Sequence, residues 1–342
     1  MDSGASSPRS IISASIDLNA QGKHFGHIRI PFSRDDAGLG YLLVPLISIR
    51  NGDGPCILLN AGTHGDEFEG QIALRNLAHS LRVEEVSGHI LMVPSANLPA
   101  VVNNSRCSPI DQLNLNRVYP GRPGGSVTEK MASYVLDELV YRANFVLDLH
   151  AGGTNYGCVI YTMMHRYAKP ATTRATFEMM KAFRAPYGVV FDTEPDRDGM
   201  LDTAVEDRDK PFIAVELGGS GIVTPQSVAF TVHGVRNVLI HCGLLRGEPA
   251  PGQPETQVLG VPAGGFVLAE DHGIFEPFVE LDEVIESGAA VGQLHSIHRP
   301  DRAPIVHRIK DGGRVICRRS TGTTTHGDFL IVTGTPLHDP GF

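Results

Sequence analysis

The sequence predicts an α/β domain built on a helix-flanked sheet, followed by a small all-β domain. Three observations carry this reading. Apolar runs that end in glycine turns alternate with helix-period segments between Cys56 and Leu245. Three of those runs, closing near Asn60, His150 and Glu216, place a polar residue just before the glycines. Beyond a Pro/Gly-rich stretch at 247–255, only short β-type runs recur between glycines.

Taken in order, residues 1 to about 12 are small and polar and are expected to fray. Residues 15–18, 25–30 and 42–49 read as strands by their alternation and β-branched content. A turn cluster at 51–55 leads into a strand at 56–59 and the turn Asn60-Ala61-Gly62-Thr63-His64-Gly65-Asp66-Glu67. Ile72, Leu74, Leu77, Ala78 and Leu81 then approximate one face of a helix over 71–81. Residues 89–94 are the next strand. Residues 95–121 show little periodicity, and a loop of this length is either a recognition element or a solvated connection. Helix (128–141), strand (144–149), strand (157–163), helix (171–184), strand (187–191), short helix (201–207), strand (211–217) and a last long helix (226–245) complete a domain spanning residues 1–246. Residues 247–342 form a linker and a β-rich domain with runs at 265–268, 273–275, 291–294, 314–317 and 329–332.

Composition narrows the function classes. The 342 residues carry a formal charge of −9, which disfavours phosphate-backbone binding, so no nucleic-acid partner is expected. No apolar stretch reaches bilayer length and the N-terminus lacks a signal-peptide pattern, so neither a membrane partner nor secretion is expected. The cytoplasm is the expected compartment. The five cysteines are scattered without C-x-x-C spacing and read as free thiols.

The turn after the strand at 56–59 is where chemistry is concentrated. His64 and Glu67 are three residues apart and can reach one ion from one side, although the same pattern also fits a polar turn at a helix N-terminus. His150 occupies the end of another strand. If the strands are parallel neighbours, it joins His64 and Glu67 in a metal trio. Asp148, two residues earlier on the same strand face, is a partner behind that imidazole or the cap of a neighbouring turn. Glu216 closes a third buried strand, where a carboxylate is costly unless it has partners or a function. It is the candidate general base, the alternative being a carboxylate bonded to amides of its glycine turn.

With Gly62-Thr63-His64-Gly65-Asp66-Glu67, Asn114-Leu115-Asn116-Arg117, Leu147-Asp148-Leu149-His150 and Ala214-Val215-Glu216-Leu217-Gly218 in place, the chain resembles the succinylglutamate desuccinylase/aspartoacylase family over nearly its whole length. The resemblance implies a zinc-carboxypeptidase-like mixed sheet and a C-terminal domain like a biotinyl/lipoyl-type barrel. It implies one Zn2+ per chain held by His64, Glu67 and His150, with Glu216 as the catalytic base. Asn116 and Arg117 are implied to bind the substrate carboxylate, and Arg106 to be the arginine facing the oxyanion. Within the family the chain is most similar to deacetylases of Nα-acetyl-L-2,4-diaminobutyrate in ectoine breakdown, notably in Ser108-Pro109-Ile110-Asp111 and the run from Asn114 to Gly121. Aspartoacylase or succinylglutamate desuccinylase activity on another N-acyl amino acid is the alternative, and a non-catalytic zinc-containing binding module is the alternative from another class. A homodimer is compatible with the family. No tyrosine follows Tyr187, so a C-terminal tyrosine contact to substrate is missing, and Glu270, Asp271 or Glu276 are the residues expected to meet a cationic amine instead.

Overall fold

A computed structural model describes residues 12–191, 197–249 and 255–337. The frayed segment expected at the N-terminus lies, but for Ile12, outside the described residues, as does the middle of the 247–255 stretch.

The chain runs β1 (Ser13–Ala14), β2 (Gly22–Pro31), β3 (Tyr41–Asn51), β4 (Cys56–Ala61), α1 (Glu69–Ser80), β5 (Gly88–Val93), α2 (Leu98–Asn103), α3 (Val127–Tyr134), β6 (Phe145–His150), β7 (Tyr156–Met164), α4 (Pro170–Phe183), β8 (Tyr187–Val190), α5 (Leu201–Glu206), β9 (Phe212–Gly219) and α6 (Pro225–His241). The C-terminal part adds β10 (Gln257–Gly260), β11 (Phe266–Leu268), β12 (Gly273–Pro277), β13 (Val284–Ile285), β14 (Ala290–His295), β15 (Ile305–Arg308), β16 (Gly313–Arg319), β17 (Thr323–Thr324) and β18 (Phe329–Pro336). Short 3-10 turns at Val83–Glu85 and Leu115–Arg117 and a π-helical turn at Val135–Val140 complete the described elements.

The main sheet is mixed. Its path is β1-β2-β3-β5-β4-β6-β9-β7-β8-β10-β18-β16-β13, with β11 paired to β18. β5, β4, β6 and β9 are mutually parallel, so their carboxyl ends open on one edge. Every residue of β4 and β5 is buried, the continuous apolar pattern of strands covered on both faces. Because side chains alternate, Ile57 and Leu59 pack with α1, α4 and α6, whereas Leu58 packs with α3, the π turn and α5 on the other face. The entry to α3 is fixed by a capping box: Ser126 Oγ accepts from Glu129 N, and the Glu129 carboxylate accepts from Ser126 N at 2.8 Å.

Two local expectations change. Residues 15–18 do not form a strand. Asp17 Oδ1 accepts from the Asn19 amide at 2.8 Å, so the chain turns there; the strand is limited to Ser13 and Ala14, with Ser15 making the last hydrogen bonds to His27 of β2. The stretch at 95–121 is also more ordered than its composition suggests, containing α2 and a 3-10 turn and tied to α3 by Asp111, which accepts from Thr128 N and Oγ1.

Four C-terminal strands form their own sheet, β15-β14-β12-β17. Others continue the main one: β10 runs parallel to β8, and β16 lies antiparallel to β7. Strands from the last third of the chain thus border the helix-flanked sheet. No helix among the described residues is long and apolar enough to cross a membrane.

Candidate metal centre and its cavity

The three glycine turns meet at the open edge of the parallel strands. Gly62 makes the first turn possible: its φ of 68° is in the left-handed region, and an added Cβ would sit 2.9 Å from Ser95 Cα. Beyond it, His64 and Glu67 are buried, as is His150 at the end of β6. One potential ligand atom from each of these three lies within 4.8 Å of the others.

The carboxylate of Glu67 sits between the two imidazoles. Its Oε1 is 2.7 Å from His64 Nδ1 and its Oε2 is 2.9 Å from His150 Nδ1. The far nitrogens are committed elsewhere. His150 Nε2 meets Asp148 Oδ2 at 2.8 Å, and Asp148 Oδ1 accepts from Asn60 Nδ2 at 2.8 Å. His64 Nε2 lies 3.1 Å from Asn114 Oδ1, an oxygen already accepting from the Asn116 amide, so His64 must donate there.

The electrostatics follow from that wiring. Burial and the Arg106 guanidinium push His64 below the usual histidine range, so its ring is neutral and Nδ1 carries a lone pair. A lone pair and a carboxylate oxygen then face each other at 2.7 Å, with the half-exposed Arg106 guanidinium at 3.3 and 3.6 Å from them, an arrangement that suits a cation. Burial would raise Glu67, but the two imidazoles override it and hold the carboxyl well below its usual range. For His150 burial is again opposed and overcome, here by the carboxylates of Asp148 and Glu67, which hold the ring well above the usual range. Two imidazole nitrogens backed by hydrogen-bond acceptors and one carboxylate form a donor set that fits zinc or another borderline divalent ion.

Glu216 stands beside this group. Its β9 position is the register partner of His150 on β6. Its Oε2 is buried without a hydrogen-bond partner, and burial together with the Glu67 charge pushes its carboxyl up to about 8. The amide-bonded alternative for this carboxylate therefore does not hold for Oε2.

His64, Glu67, His150, Glu216, Arg106, Asn116 and Arg117 all line one cavity of about 190 Å³, and Asp148 lines it too. Arg106 is half-exposed, its Nη1 3.3 Å from His64 Nδ1 and 3.6 Å from Glu67 Oε1. Arg117 donates to the Asn116 carbonyl at 2.7 Å, while Asn116 Oδ1 accepts from Leu201 N and so fixes the start of α5. Glu270, Asp271 and Glu276 do not line the cavity. Asp271 pairs with Arg302, and Glu276 with His295 and Gln293. Besides Glu67, Asp148 and Glu216, the acidic residue lining the cavity is Asp202 of α5, and the C-terminal part contributes Cys317 of β16. Asn114 behind His64, and Asn60 behind the Asp148 that meets His150, are beyond what the sequence alone assigns; both stand in the quoted stretches, but their roles depend on loop path and strand order.

A buried His-Glu-His group at the carboxyl ends of parallel strands, next to a carboxylate with one unpartnered oxygen in a cavity, is the constellation suited to metal-assisted hydrolysis. The catalytic-domain profile of the succinylglutamate desuccinylase/aspartoacylase family matches residues 53–242. The chain belongs to that family. It is 38% identical over 322 residues, 94% of each chain, to the N-alpha-acetyl-L-2,4-diaminobutyric acid deacetylase of Halomonas elongata. Among solved structures, the product-bound ectoine utilization protein of Ruegeria pomeroyi is 40% identical and superimposes with a TM-score of 0.91, covering 96% of this chain and 99% of that one. A succinylglutamate desuccinylase/aspartoacylase from Rhodobacter sphaeroides is 34% identical with a TM-score of 0.91 at the same coverage. The mixed sheet expected from the sequence is the fold these relatives share.

Proposed function

We propose that this chain is a cytoplasmic, zinc-dependent deacetylase that hydrolyses the amide of Nα-acetyl-L-2,4-diaminobutyrate to acetate and L-2,4-diaminobutyrate. The observation that carries the metal chemistry is the convergence of two imidazole Nδ1 atoms on the Glu67 carboxylate, with both Nε2 atoms committed to acceptors behind them. The substrate is supported by the Halomonas relative, which matches along almost the whole chain.

In this reading His64, Glu67 and His150 hold the ion. Zinc, when bound, supplies a Lewis acid that polarises the amide carbonyl and acidifies water. Glu216, whose ionised carboxylate is made a stronger base by burial, takes a proton from the attacking water and delivers it to the departing amine. Arg106 meets negative charge developing on the carbonyl oxygen. Arg117 and the free amide end of Asn116 hold the substrate carboxylate at the cavity wall, where a guanidinium fork fixes orientation.

The test is metal analysis of the purified protein together with parallel assays on Nα-acetyl-diaminobutyrate, N-acetylaspartate and N-succinylglutamate. About one zinc per chain with fastest acetate release from the first substrate is the expected result. Faster turnover of either other compound moves the protein to the aspartoacylase or desuccinylase reading. Bound zinc without hydrolysis of any of the three favours the non-catalytic module.

A further inference from the structure

Two of the five cysteines are neighbours across the cavity wall. Cys158 of β7 and Cys317 of β16, 159 residues apart in sequence, have their sulfurs 3.3 Å apart. They are direct register partners on antiparallel strands. Directly opposed residues in such a pair hold their Cα atoms about 4.5–5.5 Å apart, inside the span a disulfide bridges. Both side chains line the cavity that contains Glu216, so a small oxidant entering with solvent reaches them. Cys56 and Cys242 are also buried free thiols, but neither lines this cavity.

We infer that Cys158 and Cys317 form a reversible dithiol–disulfide site in the wall of the cavity, oxidised by small hydroperoxides, whose closed state slows turnover. Cys317, half-buried, is the first to react. Its thiolate attacks the peroxide O–O bond, becoming a sulfenic acid while the peroxide is reduced to water or an alcohol. The Cys158 sulfur then displaces hydroxide from that sulfenic sulfur, and its own proton leaves with the hydroxide as water. The two thiols together lose two electrons and two protons to the peroxide. The hydrogen bond to the adjoining Cys317 thiol, together with burial, pushes Cys158 up, so it acts as the resolving partner and not as the initial nucleophile. Closing the gap from 3.3 Å to a bond of about 2.05 Å draws β16 toward β7 and removes two S–H groups from the surface the substrate meets. A transient bond of this kind suits a reducing compartment, where lasting disulfides are rare.

The experiment treats the zinc-loaded protein with hydrogen peroxide and follows thiol linkage by mass spectrometry of a digest made without reduction. The expected result is a peptide pair joined through Cys158 and Cys317 before Cys56, Cys107 or Cys242 reacts. Turnover should fall several-fold with it and return on adding dithiothreitol. C317S and C158S should each abolish the linkage, and in each the ratio of rates after and before peroxide should approach one; if C158S fails to fold, C317S carries the test. Because linkage is read by mass, its outcome stands apart from the assignment of the hydrolysed substrate. Thiols that stay separately alkylatable, or that oxidise to unlinked sulfinic acids, overturn the proposal. Linkage with unchanged turnover overturns its regulatory half.

Discussion

His150 and Glu216 are register partners on β6 and β9, adjacent parallel strands, so both side chains leave the same face of the sheet one strand apart. Strand spacing of about 4.8 Å, not a loop, therefore sets the distance between the imidazole proposed to hold the ion and the proposed base. The sheet resists distortion more than a loop does, and that rigidity keeps a carboxylate with an unpartnered oxygen in a buried position.

If Glu216 moves the proton, Glu216→Gln should lower kcat by about 10²–10⁴ while zinc content and KM stay close to those of the parent. Steady-state rates paired with metal analysis check this. A variant that keeps its turnover would remove Glu216 from the mechanism.

The parts of this site legible in the sequence are those written as strand, polar residue, glycine. That local pattern placed His64, His150 and Glu216 at strand ends, and the parallel order β4-β6-β9 brings them together. Contacts set by loop paths were not legible. Asn114 reaches His64 only because the 95–121 stretch folds back over the turn, and Asn60 reaches Asp148 only because β4 and β6 are neighbours. The C-terminal wall was misjudged for a related reason. A string of short β runs does not say which of them pairs with the helix-flanked sheet, so Glu276 of the separate small sheet and Glu270 and Asp271 in the turn before it stand out as candidates, whereas β16 is the strand that reaches the cavity.

Asp148 is almost fully buried and links His150 Nε2 to Asn60. Its proposed work is to orient the ring and strengthen its donor atom. Asp148→Asn keeps the shape and removes the charge, so zinc affinity should fall about 10–100-fold. Chelator competition measures this directly. Unchanged affinity would mean that the Asp148 contact is only packing.

Gly65 carries the turn past α2. An added Cβ would lie 2.0 Å from the Ala100 carbonyl carbon and 2.4 Å from Val101 N, both backbone atoms that cannot swing aside. Gly65→Ala should therefore cost about 2 kcal/mol or more, and it should weaken zinc binding because His64 is the preceding residue. Urea unfolding and metal titration of the same preparation would reveal both losses. A near-parental midpoint would show that α2 yields easily.

The pH dependence of folding should carry a contribution from a histidine away from the proposed metal site. His89 of β5 is buried, and its Nε2 lies 2.9 Å from Ser48 Oγ. Burial, helped by the charges of Arg50 and Arg142, pushes its pKa down to about 4, whereas the unfolded chain titrates near 6.5. The folded protein thus favours the neutral ring. The associated stability is fully present above pH of about 6.5 and is lost as pH falls toward the folded value, because the unfolded chain binds its proton first. Across that window the loss amounts to about 3 kcal/mol. His89→Gln, which keeps a polar group near Ser48 but cannot take up a proton, should flatten that part of the curve. Urea unfolding of both proteins at several pH values between 7.5 and 4.5 isolates the effect, since other titrating groups are common to the two and cancel in the difference. The difference should change progressively below about pH 6.5, and parallel curves would place the acid sensitivity of this fold elsewhere.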